Sequence, residues 1–285
     1  KIFNIIEGMY SFVIYDRDKN QCLAGRDRFG IKPLYFFNDD QRIIFSSEIK
    51  PILNYKKDLR FSKKTFKDFF LKGYLDHNKN TFFEDIFSLE PSHHLTICPK
   101  KMGIKKYWSI TNSKKNKKIE KTRVMELREL INHSVNSHLI SDREVGIFMS
   151  GGTDSTSISQ IVKKKINSQV KSFTYDFESN EKFSELDKAK KISKKLNMKN
   201  YSTIIKPEDV INNMNSMCSR LESPFTSIRL FGVDKLYQLA SQKKIKVILE
   251  GHGGDEMFGG YEYHRFPNQL DKSSNALKKI KKNKS

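Results

Sequence analysis

The hydrophobic positions change rhythm part-way along the chain. Up to about residue 110 they alternate, or run in short blocks between polar turns. Residues 9–15 form an apolar-rich strand, 16–20 a polar turn and 21–25 the start of a partner strand, so a hairpin is predicted. Residues 34–37 and 42–46, with Asn38-Asp39-Asp40 after the first block, predict a second hairpin. Residues 93–98 read as a further strand. Phe66, Phe69 and Phe70 stand at i, i+3, i+4, which predicts a short helix over 65–71 with all three rings in the core.

Beyond residue 119 strands and helices take turns. Val124, Leu127, Ile131, Val135 and Leu139 repeat at the helical period. An apolar strand at 145–149, a Gly/Ser loop at 150–157 and a helix striped by Ile158, Ile161, Val162 and Ile166 follow. Strands are predicted at 170–177, 201–205 and 245–249. Helices are predicted over 186–196, from Pro207, and over 228–240. Ser184 and Asp187 have the spacing of a capping box for the first of these three. This alternation is the pattern of an α/β domain, a parallel sheet with helices on both faces. The polar stretch 109–118 marks the boundary, giving domains at 1–112 and 119–285.

Composition narrows the class. In 285 residues, 53 Lys+Arg against 33 Asp+Glu leave a net charge of +20. Lysine is spread along the chain, with clusters only at 114–118 and in the tail 276–284. No Arg and aromatic residues interleave as base-stacking surfaces require, so solvated surface is expected and no nucleic acid. Aromatic content of 12% argues against disorder. No apolar run approaches the ~20 residues of a membrane helix, and no signal peptide is visible, so a cytoplasmic setting without membrane contact is expected. Cys22, Cys98 and Cys218 stand far apart, which excludes a disulfide framework and a CxxC metal pair. The histidines other than His252 show no metal-ligand spacing. The chain opens on Lys1 rather than Met and reads as a piece of a longer one.

The sharpest chemical signal is Met149-Ser150-Gly151-Gly152-Thr153-Asp154-Ser155-Thr156, placed between a strand and a helix. Two glycines let the backbone turn so that several N–H groups face one anion, and the helix N-terminus adds partial positive charge. Ser150, Ser155 and Thr156 add hydroxyls. This is a pyrophosphate cradle without the lysine of a Walker A loop. Asp154 is unfavourable beside an anion unless it holds a cation, which points to Mg2+.

A second signal follows the strand at 245–249. Five of the 14 glycines fall in 251–261, together with Asp255 and Glu256. Asp255 is expected to face the same Mg2+ as Asp154. Two Gly-rich loops, each with an acid and each at a strand's carboxyl end, suggest one nucleotide site.

At this point the chain resembles the glutamine-dependent asparagine synthetase family. Ser150-Gly151-Gly152-Thr153-Asp154-Ser155 is similar to its ATP-pyrophosphatase loop, with Thr153 where Leu is usual. Residues 250–261 are similar to its second glycine-rich loop. Gly8 to Asp16, Arg26 to Tyr35, Phe45 to Lys50 and Tyr107-Trp108 resemble the later part of its class II amidotransferase domain. The resemblance implies an adenine nucleotide alpha-hydrolase-like α/β domain, preceded by a β-rich partial N-terminal-nucleophile α+β domain. It implies activation of an acceptor carboxylate by ATP as an acyl-adenylate, then displacement of AMP by glutamine-derived ammonia through an internal channel. Carried over by position, Met149, Tyr175, Glu250 and Gly251 would line the adenosine. Ser150, Gly151, Gly152, Asp154 and Ser155 would hold pyrophosphate and metal, with Asp255 as second metal ligand. Asp154, His252 and Asp255 are the expected catalytic residues. Small molecules are the expected partners, and a homodimer stays open.

Three departures accompany the resemblance. The family's amino-terminal cysteine nucleophile has no counterpart here, so the chain by itself is expected to lack glutaminase activity. The carboxy-terminal helices of the family domain lie beyond the chain, so this piece alone is expected to be inactive. His252 stands where the family has the glutamate that handles the ammonia's protons. A histidine also serves as a base near neutral pH, but it changes the charge shown to the acceptor. Aspartate is the first expected acceptor, and a sugar acid or peptide carboxylate the alternative.

Overall fold

The computed structural model describes residues 2–39, 42–56, 60–99, 101–110, 120–178 and 184–261. The lysine clusters at 114–118 and 276–284, and His264, lie outside them. The chain forms two compact units: Lys1–Lys117 with Asn215–Thr226, and Lys118–Met214 with Ser227–Ser285.

The first unit is β-rich. β1 (Ser11–Asp16), β2 (Gln21–Arg26), β6 (His93–Cys98) and β7 (Lys101–Lys106) form one antiparallel sheet, ordered β1-β2-β6-β7. β3 (Tyr35–Asn38), β4 (Ile43–Ser46) and β5 (Ile86–Ser88) form a second, ordered β4-β3-β5. Both predicted hairpins are present. Side chains alternate along β3, so Phe36 and Phe37 serve different layers. Phe36 packs with Ala24, Leu89 and Leu95 between the sheets, while Phe37 packs with Ile49 and Ile52 of α1 (Ile49–Lys56).

α2 (Lys63–Lys72) is the predicted phenylalanine helix. Ser62 Oγ accepts from Thr65 N–H at its start, and Gly73 closes it with a φ of 67°. One expectation fails there. Phe66 and Phe69 lean on buried Phe82, but Phe70 is 73% exposed. The i, i+3, i+4 spacing sweeps an arc wider than the strip α2 buries.

Asn215–Thr226 joins this unit through Glu222. Its carboxylate accepts from Ile49 N–H and Lys50 N–H, both at 2.6 Å, filling two of the donors a helix start leaves unpaired. Glu222→Ala is expected to destabilise this unit by about 1–2 kcal/mol and to speed hydrogen exchange at the Ile49 and Lys50 amides. Unchanged exchange at those two amides would refute the capping role.

The second unit is α/β. Its elements are α3 (Glu120–His138), β8 (Val145–Phe148), α4 (Thr153–Lys165), β9 (Lys171–Phe177), α5 (Leu186–Lys195), β10 (Lys199–Ile205), α7 (Arg229–Gln242), β11 (Val247–Leu249) and the short α8 (Gly254–Phe258). α6 (Pro207–Leu221) divides between the units after Met214. The four strands are parallel, in the order β10-β9-β8-β11. Helices cover both faces. Ile147 of β8 packs with Val135 of α3, Val162 of α4 and Ala189 of α5. Phe148, the next residue, packs on the other face with Leu236 and Ala240 of α7. The Ser184–Asp187 capping box does not form. Glu185 is the N-cap of α5 without a side-chain bond, and Ser184 Oγ accepts from Leu186 N–H instead.

Candidate functional site at the ends of β8 and β11

Sheet order decides where the loops meet. β8 comes first among the four strands and β11 last, yet they are neighbours. The chain leaves β8 toward β9 on one side, and β11 lies on the other. Open parallel sheets bind ligands at the carboxyl ends of the strands flanking such a reversal. The loop 150–152 leaves β8 there, and the loop 250–253 leaves β11 beside it.

The first loop is built from Met149 outward. Met149 is buried at 2% exposure; its N–H donates to Phe173 O, and its carbonyl accepts from Thr174 Oγ1 at 2.8 Å. It anchors the loop to β9 rather than presenting its side chain. Gly151 has a φ of 81°, and a Cβ there would come within 2.9 Å of Lys188 Cβ and 3.0 Å of Ala189 N on α5. Both conformation and space therefore require glycine. Ser150 Oγ accepts from Gly152 N–H at 3.2 Å and lies 3.1 Å from Ser155 Oγ, which donates to Gly152 O. These hydroxyls brace the loop. The first-turn amides of α4 carry no intrahelical bonds, and Thr156 Oγ1 is buried without a partner.

The second loop closes over Asp154. A Cβ on Gly254 would fall on the Asp154 carboxylate, and one on Gly251 would come 3.1 Å from Asp154 Cβ. Asp154 therefore lies against both glycines. Asp255 is on α8, and its carboxylate lies over Gly260. Neither carboxylate has a hydrogen-bond or ion-pair partner among the described residues. His252 Nδ1 lies 2.8 Å from Glu250 Oε1. That bond holds His252 above its ordinary pKa, with burial opposing and Glu256 adding a smaller pull. Tyr261 OH donates to Glu256 at 2.7 Å, which keeps the Glu256 carboxyl below its usual range.

Charged residues that the sequence did not single out, Asp176, Glu185 and Arg229, lie around Tyr175 at the end of β9. Tyr175 packs against Gly232 of α7, and burial raises its phenol above the usual range while Arg229 pulls it down. Burial also pushes the Glu185 carboxyl up, with Arg229 opposing and buried Asp176 adding to the rise. Such groups mark sites more often than plain surface does. The available signal was Arg229 itself, an arginine in a chain whose cations are mostly lysine.

The family model described as asparagine synthase matches residues 126–284, more than half of the chain. This chain belongs to the asparagine synthase family. The glutamine amidotransferase domain model matches residues 1–108. Asparagine synthetase [glutamine-hydrolyzing] 1 of Bacillus subtilis is 31% identical over 281 residues, which cover 96% of this chain and 43% of that protein. Putative asparagine synthetase [glutamine-hydrolyzing] 2 of Methanocaldococcus jannaschii is 30% identical over 267 residues, 90% of this chain and 50% of that protein. Amidase chry2 of Gibberella zeae is 24% identical over 277 residues, 91% of this chain and 41% of that protein. The chain thus spans about half the length of the curated relatives it matches.

An asparagine synthase family chain implies ATP use, and the residues present suit it. Gly151 and Gly152 lead into the first-turn amides of α4, which have no intrahelical partners, and Thr156 Oγ1 is buried without a partner among the described residues. For Mg2+, Asp154 offers a carboxylate without a hydrogen-bond or ion-pair partner among the described residues. Among the described residues no cluster of three or more His, Cys, Asp or Glu forms.

Proposed function

We propose that this chain carries the ATP-dependent centre of an amide ligase, joining ammonia to an acceptor carboxylate, with aspartate as the acceptor. The observation behind this reading is the seating of Asp154 against Gly251 and Gly254, where the loops after β8 and β11 meet. The α4 amides and the Gly151 turn receive the phosphates of ATP. Asp154, with Asp255, holds Mg2+. Bound Mg2+ offsets the charge that gathers on pyrophosphate as it departs. Glu250 and Gly251 border the adenosine, and His252 faces the acceptor. Adenylation supplies what a free carboxylate lacks, a leaving group that ammonia can displace.

The test is pyrophosphate release by the protein at its full length with ATP, Mg2+, free ammonia and aspartate. Free ammonia removes any dependence on glutamine hydrolysis. Aspartate-dependent release with asparagine formed supports the reading. Nucleotide binding without release for aspartate transfers it to another carboxylate. Two observations favour that second acceptor class: His252 lies exposed in the second loop, and the chain is similar to a protein named an amidase. A panel of sugar acids and peptide carboxylates separates the two acceptors.

A further inference from the structure

The parallel sheet of the second unit sorts charge between its two ends. β8, β9, β10 and β11 all start at one end, and α3, α4, α5 and α7 all lead back to it. The four turns from helix into strand therefore lie there, away from the glycine loops. Lysine collects in them. Three lysines finish α4 and two finish α5. Lys171 and Lys199 open β9 and β10 and are partners across the two strands. Lys243, Lys244 and Lys246 fill the turn from α7 to β11, and Arg143 precedes β8. Against these eleven cations the turns carry two carboxylates, Asp142 and Glu144, and Lys171 holds Glu144 at 2.8 Å. The other end of the sheet carries the acids Asp154, Asp176, Glu250 and Asp255. Lysines dispersed along the sequence are thus neighbours in space. Their dispersal is what argued against a nucleic acid, and the fold removes that argument at this end.

The helix macrodipole accounts for lysine at the ends of α4 and α5. It does not account for Lys171, Lys199 and Lys246, which stand at strand starts. Lys199 Nζ lies 5.5 Å from the centroid of the Tyr201 ring, and Lys243 Nζ lies 4.9 Å from the same centroid. One ring thus carries two ammonium groups, and neither has a carboxylate partner among the described residues. Folding draws like charges together here, and their repulsion opposes the compact state unless an anion screens it. In the order β10-β9-β8-β11, Lys199 and Lys246 mark the two edges of the sheet and Lys171 lies between them. With strands ~4.8 Å apart, the row spans about 14 Å.

We propose that this end of the second unit docks the phosphate backbone of a nucleic-acid duplex. A duplex carries one charge per ~1.7 Å of its axis, so a row of this length meets several phosphates. The turns contain no Phe, Tyr or Trp, and Tyr201 stacks inward on Phe173 at 5.7 Å. No aromatic platform is offered to unpaired bases, which selects a duplex over a single strand. Lysine is a point charge without the planar fork that reads guanine, so the backbone is bound whatever the sequence. One large apolar side chain is exposed in these turns, Ile140, whereas a lipid surface is held by an apolar face that inserts. The inference stands apart from the ligase reading, because its readout needs no turnover.

The test is fluorescence anisotropy of a labelled, mixed-sequence DNA duplex of about 20 base pairs with the full-length protein, over a range of salt. With about four phosphates neutralised, log K is expected to fall against log salt with a slope of about −3 to −4. Joint replacement of Lys199, Lys243 and Lys246 by Gln keeps side-chain length and removes three charges. It is expected to weaken binding about 10-fold or more at low salt and to flatten the slope by about 2 to 3. Removing the same charge from α2, as Lys63→Gln, Lys64→Gln and Lys67→Gln together, should leave binding within about twofold. Equal losses in the two triple variants would refute the surface, because net charge alone would then carry the binding. Should the first triple fail to fold by circular dichroism, Lys164→Gln, Lys165→Gln and Lys194→Gln remove charge from the same end without touching Tyr201, with the same loss expected. A wild type that leaves the duplex free at ~50 mM salt would overturn the proposal. So would tighter binding of the matching single strand, or of anionic lipid vesicles, than of the duplex.

Discussion

Asp154→Ala is expected to lower acceptor-dependent pyrophosphate release by about 100-fold or more while leaving the fold intact. The reason is asymmetric. The carboxylate has no hydrogen-bond or ion-pair partner among the described residues, so its removal breaks no such bond with them. The change removes a half-buried acid from the first turn of α4, a helix-dipole loss of about 0.3–1 kcal/mol, so the fold should survive it. The same carboxylate is seated against Gly251 and Gly254, where the two glycine loops meet and where the proposed site would balance the charge on pyrophosphate. A companion change separates position from identity. Gly254→Ala keeps Asp154 but puts a methyl group where its carboxylate lies, so turnover should fall in the same direction by a smaller factor. Melting curves and a pyrophosphate assay on both variants decide the matter. Near-wild-type turnover in Asp154→Ala would remove the metal role, and with it the main support for a shared nucleotide site.

The loops were legible in the sequence because their chemistry is local. A glycine pair that needs a left-handed turn, followed by Asp and Ser at a helix start, has a meaning that does not depend on the rest of the fold. The strands of the parallel sheet were legible for a similar reason. Burial on both faces makes β8 a continuous apolar run, and all four of its residues are buried. β7 was not legible. Its sequence Lys-Met-Gly-Ile-Lys-Lys sits at a sheet edge with its ends exposed, and only pairing with β6 makes it a strand. α1 was missed because it is short and carries Pro51, which its first turn tolerates. The grouping of Asp176, Glu185 and Arg229 around Tyr175 was invisible for a different reason. Thirty per cent of the chain is charged, and only the fold brings these particular residues to the end of β9.

Asp27→Ala is expected to have the largest effect on stability, about 3–5 kcal/mol. Asp27 follows β2 and is 1% exposed. One carboxylate oxygen accepts from Phe29 N–H at 3.1 Å and Ile31 N–H at 3.0 Å. The other accepts from Lys32 N–H at 3.0 Å and Tyr10 N–H at 3.3 Å. The turn between β2 and β3 is thus wound around one side chain. Arg26 closes the same turn from outside, donating to the carbonyls of Gly30, Lys32 and Leu89 and to Ser88 Oγ. Gly30, with a φ of 67°, lets the backbone pass between them. Alanine leaves four amides without an acceptor and takes away an anion beside the partly buried Arg26 guanidinium, whose charge burial already opposes. Asparagine is the sharper test because it keeps the shape. Its oxygen can serve either pair of amides, but its NH2 must then face the other pair, donor against donor. Asp27→Asn should therefore destabilise nearly as much as Asp27→Ala, although it creates no cavity. If urea unfolding shows Asn close to wild type and Ala alone destabilised, packing rather than amide satisfaction holds the turn.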